Sequence, residues 1–151
     1  MTSKISNNIK NPNNINLILE DGSIFKGKTF GSTLESIGEV VFNTSMTGYQ
    51  EMLTDPSYSG QIVISTYPLI GNYGINKTDF ESKKIQVAGF VIKNLCTEPS
   101  HNSSEFTLNE FLESQSIPGI YDVDTRALAK KIRQKGVMSG KISKESSSDI
   151  F

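Results

Sequence analysis

The first half of the chain consists of short apolar runs separated by turn residues, a pattern that predicts β-strands. Residues 15–20 and 23–27 flank an Asp21-Gly22 pair. Asp-Gly between β-prone runs indicates a hairpin, because a type I′ turn needs positive φ at its central residues. Three further apolar runs predict strands at 38–44, 61–66 and 85–93.

Helix signals follow. Residues 48–54 predict a short helix, which should end before Pro56 because proline disfavours α geometry at the preceding residue. Thr107 and Glu110 have the spacing of a capping box, in which hydroxyl and carboxylate satisfy each other's backbone N–H groups. The apolar side chains after Thr107 then fall on one helical face, at Leu108, Phe111 and Leu112.

The last third predicts a buried extended element at 117–121, a helix over 125–135 and a closing strand at 137–142. Either Asp122 or Asp124 can cap the helix, and Gly136 can end it. Along the chain, several strands come first and helices then alternate with strands. This order predicts one layered, mixed α/β domain rather than a simple sandwich.

Composition narrows the class of protein. The chain has 151 residues, of which 36% are hydrophobic and 21% charged, enough for one core. Its net charge of -1 argues against nucleic-acid binding, and no apolar stretch approaches the ~20 residues of a membrane span. A single cysteine, Cys96, excludes an intrachain disulfide and favours a reducing compartment, which we expect to be the cytoplasm.

Candidate chemistry is sparse. Cys96 and His101 are the only residues of their kinds, match no nucleophile motif and fall short of a common zinc set. Residues 71–74 contain two glycines but predict a turn, and neither a Walker loop nor a Rossmann fingerprint is present. The basic residues of the last helix predict a solvated face that complements the helix dipole: Lys130, Lys131, Arg133 and Lys135. The residues therefore do not make a complete active site.

Three segments carry a family resemblance that is more informative than composition. They are Leu-Glu-Asp-Gly-Ser-Ile-Phe-Lys-Gly at 19–27, the long run from Gly-Glu-Val-Val-Phe-Asn-Thr-Ser to Asp-Pro-Ser-Tyr-Ser at 38–59 with its continuation to 74, and Ile-Pro-Gly-Ile-Tyr-Asp-Val-Asp-Thr-Arg-Ala-Leu-Ala-Lys-Lys-Ile-Arg at 117–133, followed by Gly136. Over about 15–142, the chain resembles the amino-terminal domain of the carbamoyl phosphate synthetase small chain.

The resemblance implies a swivelling β/β/α fold and a part in a glutamine-hydrolysing ligase of arginine and pyrimidine synthesis. In that family a following glutaminase domain supplies the catalytic Cys, His and Glu, so Cys96 should not be equated with the nucleophile. The family's large chain, its heterodimer partner, uses ATP and Mg. This chain is expected to need no cofactor of its own and to contact the glutaminase domain and the large chain.

Ser57 is the site residue that the resemblance implies, because it matches the family serine that contacts glutamine from this domain. Its hydroxyl can donate to a carboxylate or accept from an ammonium, whereas pattern alone would predict an ordinary turn residue after Pro56. Four neighbours belong either to a domain interface or to a hydrogen-bonded turn with a core tyrosine: Thr44, Ser45, Thr47 and Tyr49.

One segment departs from the family. The usual Ser-Asn-aromatic-Arg pattern is replaced at 100–105, where no aromatic-Arg pair follows Asn102. The expected organisation is a disordered Asn-rich leader at 1–14, the domain at 15–143 and a truncated linker at 144–151, with the glutaminase domain absent. The alternatives are a stand-alone interaction module or a decayed gene product, and the plastid stroma instead of the cytoplasm.

Overall fold

The protein was analysed as a computed structural model that describes residues 14–44, 49–66, 69–70, 84–95 and 107–145, with backbone alone at 69–70. Its strands are β1 Asn14–Leu19, β2 Ile24–Gly31, β3 Ser36–Asn43, β4 Gln61–Ser65, β5 Leu69–Ile70, β6 Gly89–Val91, β7 Asn94–Leu95, β8 Pro118–Tyr121 and β9 Met138–Ser143. Its helices are α1 Tyr49–Thr54, α2 Leu108–Ser114 and α3 Thr125–Lys135, with a 3₁₀ helix at Pro56–Tyr58.

Seven strands form a closed barrel in the order β1-β2-β8-β6-β4-β3-β9, with β9 pairing back to β1. The pairs β3/β4, β4/β6 and β6/β8 are parallel, and the other neighbours are antiparallel. Closure leaves the barrel strands without a free edge. The mixed α/β prediction is confirmed, but the closed barrel was not predicted.

Alternation along the strands divides the apolar residues between two clusters. In β4, Ile62 and Ile64 belong to one cluster and Val63 to the other. The inner cluster draws on every barrel strand except β2 and on α3, so it fills the barrel interior and joins α3 to it. Its buried members are Ile15, Leu17, Leu19, Val40, Ile62, Ile64, Val91, Ile120, Val123, Leu128, Ile132, Met138 and Ile142.

The outer cluster joins α1 and α2 to the outside of the barrel wall. Its buried members are Phe30, Tyr49, Met52, Leu53, Val63, Ile85, Val87, Phe90, Ile92, Leu108, Phe111 and Leu112. The capping box of α2 is present as predicted: Glu110 N–H donates to Thr107 Oγ1 at 3.1 Å, and Thr107 N–H donates to Glu110 Oε1 at 3.0 Å. The predicted apolar face of α2 is fully buried.

The β1–β2 hairpin forms, but its predicted turn type was wrong. Ile18 pairs with Ile24, and Leu19 N–H donates to the Ser23 carbonyl, so the loop has three residues, 20–22. Only Gly22 in this loop has a positive φ, of 93°. The Asp21 carboxylate accepts from Ser23 N–H at 3.0 Å, and this local bond favours the longer loop over a type I′ turn.

The strand predicted at 85–93 is shorter than expected. Only Gly89–Val91 is a strand, because part of the backbone before it bonds to partners outside the barrel. Ile85 N–H donates to the Gln115 side chain at 2.7 Å, and Gln86 N–H donates to the Leu53 carbonyl at 2.8 Å. These bonds are made between segments far apart in sequence, which a periodicity argument does not detect.

Helix α3 is capped by Asp124, which settles the choice between two aspartates: its carboxylate accepts from Ala127 N–H at 3.1 Å. Gly136 ends the helix with φ 84°. The prediction that the basic residues of α3 are merely solvated was incomplete. Lys131 pairs with Asp21 at 3.1 Å, and the Arg133 guanidinium lies 4.9 Å from the centroid of the Phe42 ring.

Candidate functional site

Ser57 lies in the middle of the 3₁₀ helix Pro56–Tyr58, between α1 and β4. Asp55 precedes this helix with extended φ and ψ of -75° and 120°, and its carboxylate accepts from Ser57 N–H at 2.9 Å. Pro56 occupies the start of the helix, where proline's fixed φ is favourable and its missing N–H costs nothing. We call residues 55–58 the Ser57 turn.

The Ser57 turn is anchored on the side of α1. Tyr49, Met52 and Leu53 are buried in the outer cluster, so one face of this short helix is fixed to the barrel wall. Asp55 N–H donates to the Met52 carbonyl at 3.3 Å. The predicted end of the helix before Pro56 is confirmed, since α1 stops at Thr54.

The turn is also anchored on the side of β4. Gly60 has φ 75°, and its N–H donates to the Gln86 carbonyl at 3.1 Å. A Cβ on Gly38 would collide with the carbonyl oxygen of Gly60, so the chain here lies directly against β3. The backbone on both sides of Ser57 is therefore held by contacts with the barrel.

A side-chain bond connects the turn to the far end of β3. The Asn43 amide donates to the Tyr58 hydroxyl at 2.7 Å in a partly buried position. The Tyr58 ring packs against the outer cluster. This contact was not predicted, because Asn43 and Tyr58 are 15 residues apart in sequence.

The side chain of Ser57 is exposed, and its hydroxyl contacts no partner within the part of the chain that the structure describes. A hydroxyl in that position can donate one hydrogen bond and accept two. The described residues include neither histidine nor cysteine, and no three carboxylate, histidine or cysteine side chains among them lie together as a metal site would require. The described arrangement can therefore bind a polar ligand through the Ser57 hydroxyl.

The remaining sequence candidates divide into two groups. Thr44 is exposed after β3, whereas Tyr49 is buried, which favours core packing for that tyrosine. The others lie outside the described residues: Ser45, Thr47, residues 71–74, Cys96, His101 and Asn102.

The sequence reasoning missed Asp55, which caps the Ser57 turn, although a signal was available. An Asp two residues before a Ser is the spacing of an Asx turn, in which the carboxylate accepts from the second following N–H.

Within the described ranges, no helix is both long and apolar enough to cross a membrane.

Comparison with known proteins shows which family the chain belongs to. Residues 17–142 match the family described as "Carbamoyl-phosphate synthase small chain, CPSase domain". The carbamoyl phosphate synthase small chain of Fusobacterium nucleatum is 62% identical over 127 residues, which cover 84% of this chain and 36% of that one. That of Bacillus caldolyticus is 59% identical over 126 residues, covering 83% of this chain and 35% of that one.

The pyrimidine-specific small chain of Bacillus subtilis is 56% identical over 124 residues, covering 82% of this chain and 34% of the relative. Among solved structures, an aminopeptidase from Aneurinibacillus sp. strain AM-1 matches 90% of this chain and 31% of its own, with a TM-score of 0.48 and 13% identity, too weak to bear on function. The chain thus spans about a third of the length of these curated relatives. Since the family match covers most of its residues, the chain belongs to the carbamoyl-phosphate synthase small chain family, matching its CPSase domain.

Proposed function

We propose that this chain is the non-catalytic, glutamine-contacting part of a glutamine-dependent carbamoyl phosphate synthase. Ser57 hydrogen-bonds glutamine and performs no bond chemistry. The observation that carries the proposal is the exposed Ser57 hydroxyl, which is held on a capped turn and has no partner among the described residues. The turn lies inside the region that matches the family.

The chemistry of a serine hydroxyl suits a free amino acid. Glutamine carries an α-carboxylate that accepts hydrogen bonds and an α-ammonium that donates them, and a hydroxyl can serve either group. An anchored turn limits the entropy lost when the ligand binds, because the hydroxyl's backbone is already ordered. One hydroxyl is too little for a whole amino-acid site, so most of the contacts must come from elsewhere.

In this proposal, a glutaminase domain supplies those other contacts and the catalytic Cys, His and Glu. The large chain is the heterodimer partner and binds ATP and Mg, so no cofactor is assigned to the present chain. The product, carbamoyl phosphate, serves arginine and pyrimidine synthesis. We place the enzyme in the cytoplasm, with the plastid stroma as the alternative. We assign the fold of this chain to the swivelling β/β/α type.

The test is the change Ser57→Ala in an enzyme assembled from the large chain and a complete small chain that carries this sequence. We expect the KM for glutamine to rise about three- to tenfold, since one hydrogen bond to the ligand is lost. Synthesis from free ammonia should not change, because it bypasses glutamine.

Ser59→Ala is the matched control, because Ser59 is an exposed serine two residues further along the same connection. Its substitution should leave both activities as they are. An unchanged glutamine KM in Ser57→Ala would contradict the proposal, and so would an equal rise in both variants.

A further inference from the structure

We infer that Asn43 positions Ser57 for glutamine by acting through the hydroxyl of Tyr58. The inference rests on the proposed function of Ser57 and adds to the same site a residue that orients the Ser57 hydroxyl. Asn43 is the last residue of β3, whereas Ser57 lies on the connection that leads into β4. Asn43 need not touch glutamine in this role, and it is a positioning residue rather than a binding one.

Tyr58 follows Ser57 directly, so the direction of the Tyr58 side chain constrains the orientation of the Ser57 backbone. The Tyr58 ring is partly buried against the outer cluster, and its hydroxyl accepts from Asn43 Nδ2 at 2.7 Å. The ring is therefore held both along its apolar face and at its polar end.

The backbone of Asn43 is held in the barrel. It pairs with Ser65 in the parallel ladder between β3 and β4. Its carbonyl oxygen also accepts from Thr66 N–H at 3.1 Å and from Thr66 Oγ1 at 3.4 Å. Because the barrel fixes its backbone, the Asn43 amide is a stable point from which to hold Tyr58.

The Ser57 turn has other hydrogen bonds that do not depend on the contact between Asn43 and Tyr58. The Asp55 carboxylate would still accept from Ser57 N–H, and Ser59 N–H would still donate to the Pro56 carbonyl at 3.0 Å. The turn would therefore still form. A single 3₁₀ turn has poorer hydrogen-bond geometry than an α-helix, however, so its orientation depends on such outside contacts. Loss of the Asn43–Tyr58 bond should loosen the Ser57 hydroxyl without unfolding the chain.

The experiment combines Tyr58→Phe with Ser57→Ala in the assembled enzyme. Tyr58→Phe removes only the hydroxyl and keeps the ring. We expect it to raise the glutamine KM about three- to tenfold, with kcat and ammonia-dependent synthesis unchanged. In the Ser57→Ala background, Tyr58→Phe should raise the KM no further, because the group that it positions is already gone.

Two further variants test the direction of the effect. Asn43→Leu removes the amide donor and should match Tyr58→Phe. Asn43→Asp should keep more of the affinity, because its carboxylate can accept from the Tyr58 hydroxyl and restore a bond of opposite polarity. Tyr121→Phe is the matched control, since Tyr121 is a half-buried tyrosine on β8 whose ring lies edge-on to Phe30.

The outcomes separate the two proposals. If Ser57→Ala raises the KM and Tyr58→Phe does not, the positioning role is overturned and the role of Ser57 stands. If Tyr58→Phe raises the KM equally in the Ser57→Ala background, it acts independently of Ser57, and the positioning role is again overturned. If Ser57→Ala has no effect, the proposed function falls, and the positioning role falls with it.

Discussion

Two turns of this molecule share one local motif and differ in what packs against them. Asp21-Gly22-Ser23 and Asp55-Pro56-Ser57 both have the form Asp-x-Ser, and in each the carboxylate accepts from the serine N–H, at 3.0 Å and 2.9 Å. The first turn closes the β1–β2 hairpin. The second opens a 3₁₀ helix and leaves Ser57 exposed.

The surroundings of the aspartate make the difference. The Asp21 carboxylate also pairs with Lys131 of α3 at 3.1 Å, which ties the hairpin to the helix. Partial burial raises the pKa of Asp21, but the hydrogen bonds from Ser23 and the Lys131 ammonium lower it more, so the pKa lies below its ordinary value. The same motif thus stabilises the fold in one place and presents a hydroxyl in the other.

The largest expected effect comes from exchanging the central residues of the two turns. Gly22→Pro should cost about 3 kcal/mol or more of unfolding free energy, because proline cannot adopt the φ of 93° and removes the N–H that donates to the Leu19 carbonyl. Pro56→Gly should cost about 0.4–1 kcal/mol, since it mainly makes the unfolded chain more flexible. Urea denaturation measures both, and equal losses would refute the distinction between the turns.

The next effect is that of Asp21→Ala, which removes one hydrogen bond and one partly exposed ion pair. We expect a loss of about 1–2 kcal/mol at neutral pH, with the glutamine KM of the assembled enzyme unchanged. A carboxyl whose folded-state pKa is lowered contributes stability above its unfolded-state pKa, near 3.8, and loses it as pH falls through the folded value. The difference in urea midpoint between wild type and Asp21→Asn should therefore shrink in that acid range. A difference that stays constant with pH would show that the charge of Asp21 does not contribute to stability.

A small effect on stability, similar to that of Pro56→Gly, is expected for Asp55→Ala, which removes an exposed cap and should cost about 0.5–1 kcal/mol. Asp55→Ala should affect glutamine binding more than Asp21→Ala does, because the Ser57 N–H loses its partner and the Ser57 hydroxyl loses its orientation. We expect the glutamine KM to rise while ammonia-dependent synthesis is kept. Asp21→Ala is the control in the same assay, and a rise in KM for that variant instead would reverse the comparison.

Local signals predicted the elements whose causes are local. The capping box at Thr107 and Glu110, the end of α1 before Pro56 and the glycine after α3 each depend on residues within a few positions of one another. The hairpin was predicted for the same reason, although Asp21 favoured a three-residue loop over the expected two-residue turn. Closure of the barrel was not predictable in this way, because it requires β9 to pair with both β1 and β3.

In the candidate site, too, features with local causes could be predicted and contacts between distant segments could not. Ser57 was identified by a family resemblance, whereas composition and spacing alone would have made it an ordinary turn residue. The Asp55 cap could have been predicted from a local rule, the Asp-x-Ser spacing of an Asx turn. The contact between Asn43 and Tyr58 was not, because it depends on the position of α1 and its turn against the outer wall of the barrel.

By itself, the sequence determined the family, the approximate positions of most strands and helices, and the residue types available for binding. These follow from short-range patterns of apolar, capping and turn residues, and from a resemblance that extends over most of the chain. Only the tertiary structure decided that the barrel closes, that Lys131 binds Asp21 and that Asn43 holds Tyr58. The physical reason is that such contacts form between segments brought together by burial of the two apolar clusters, and burial of apolar surface is not directional enough to specify individual partners in advance.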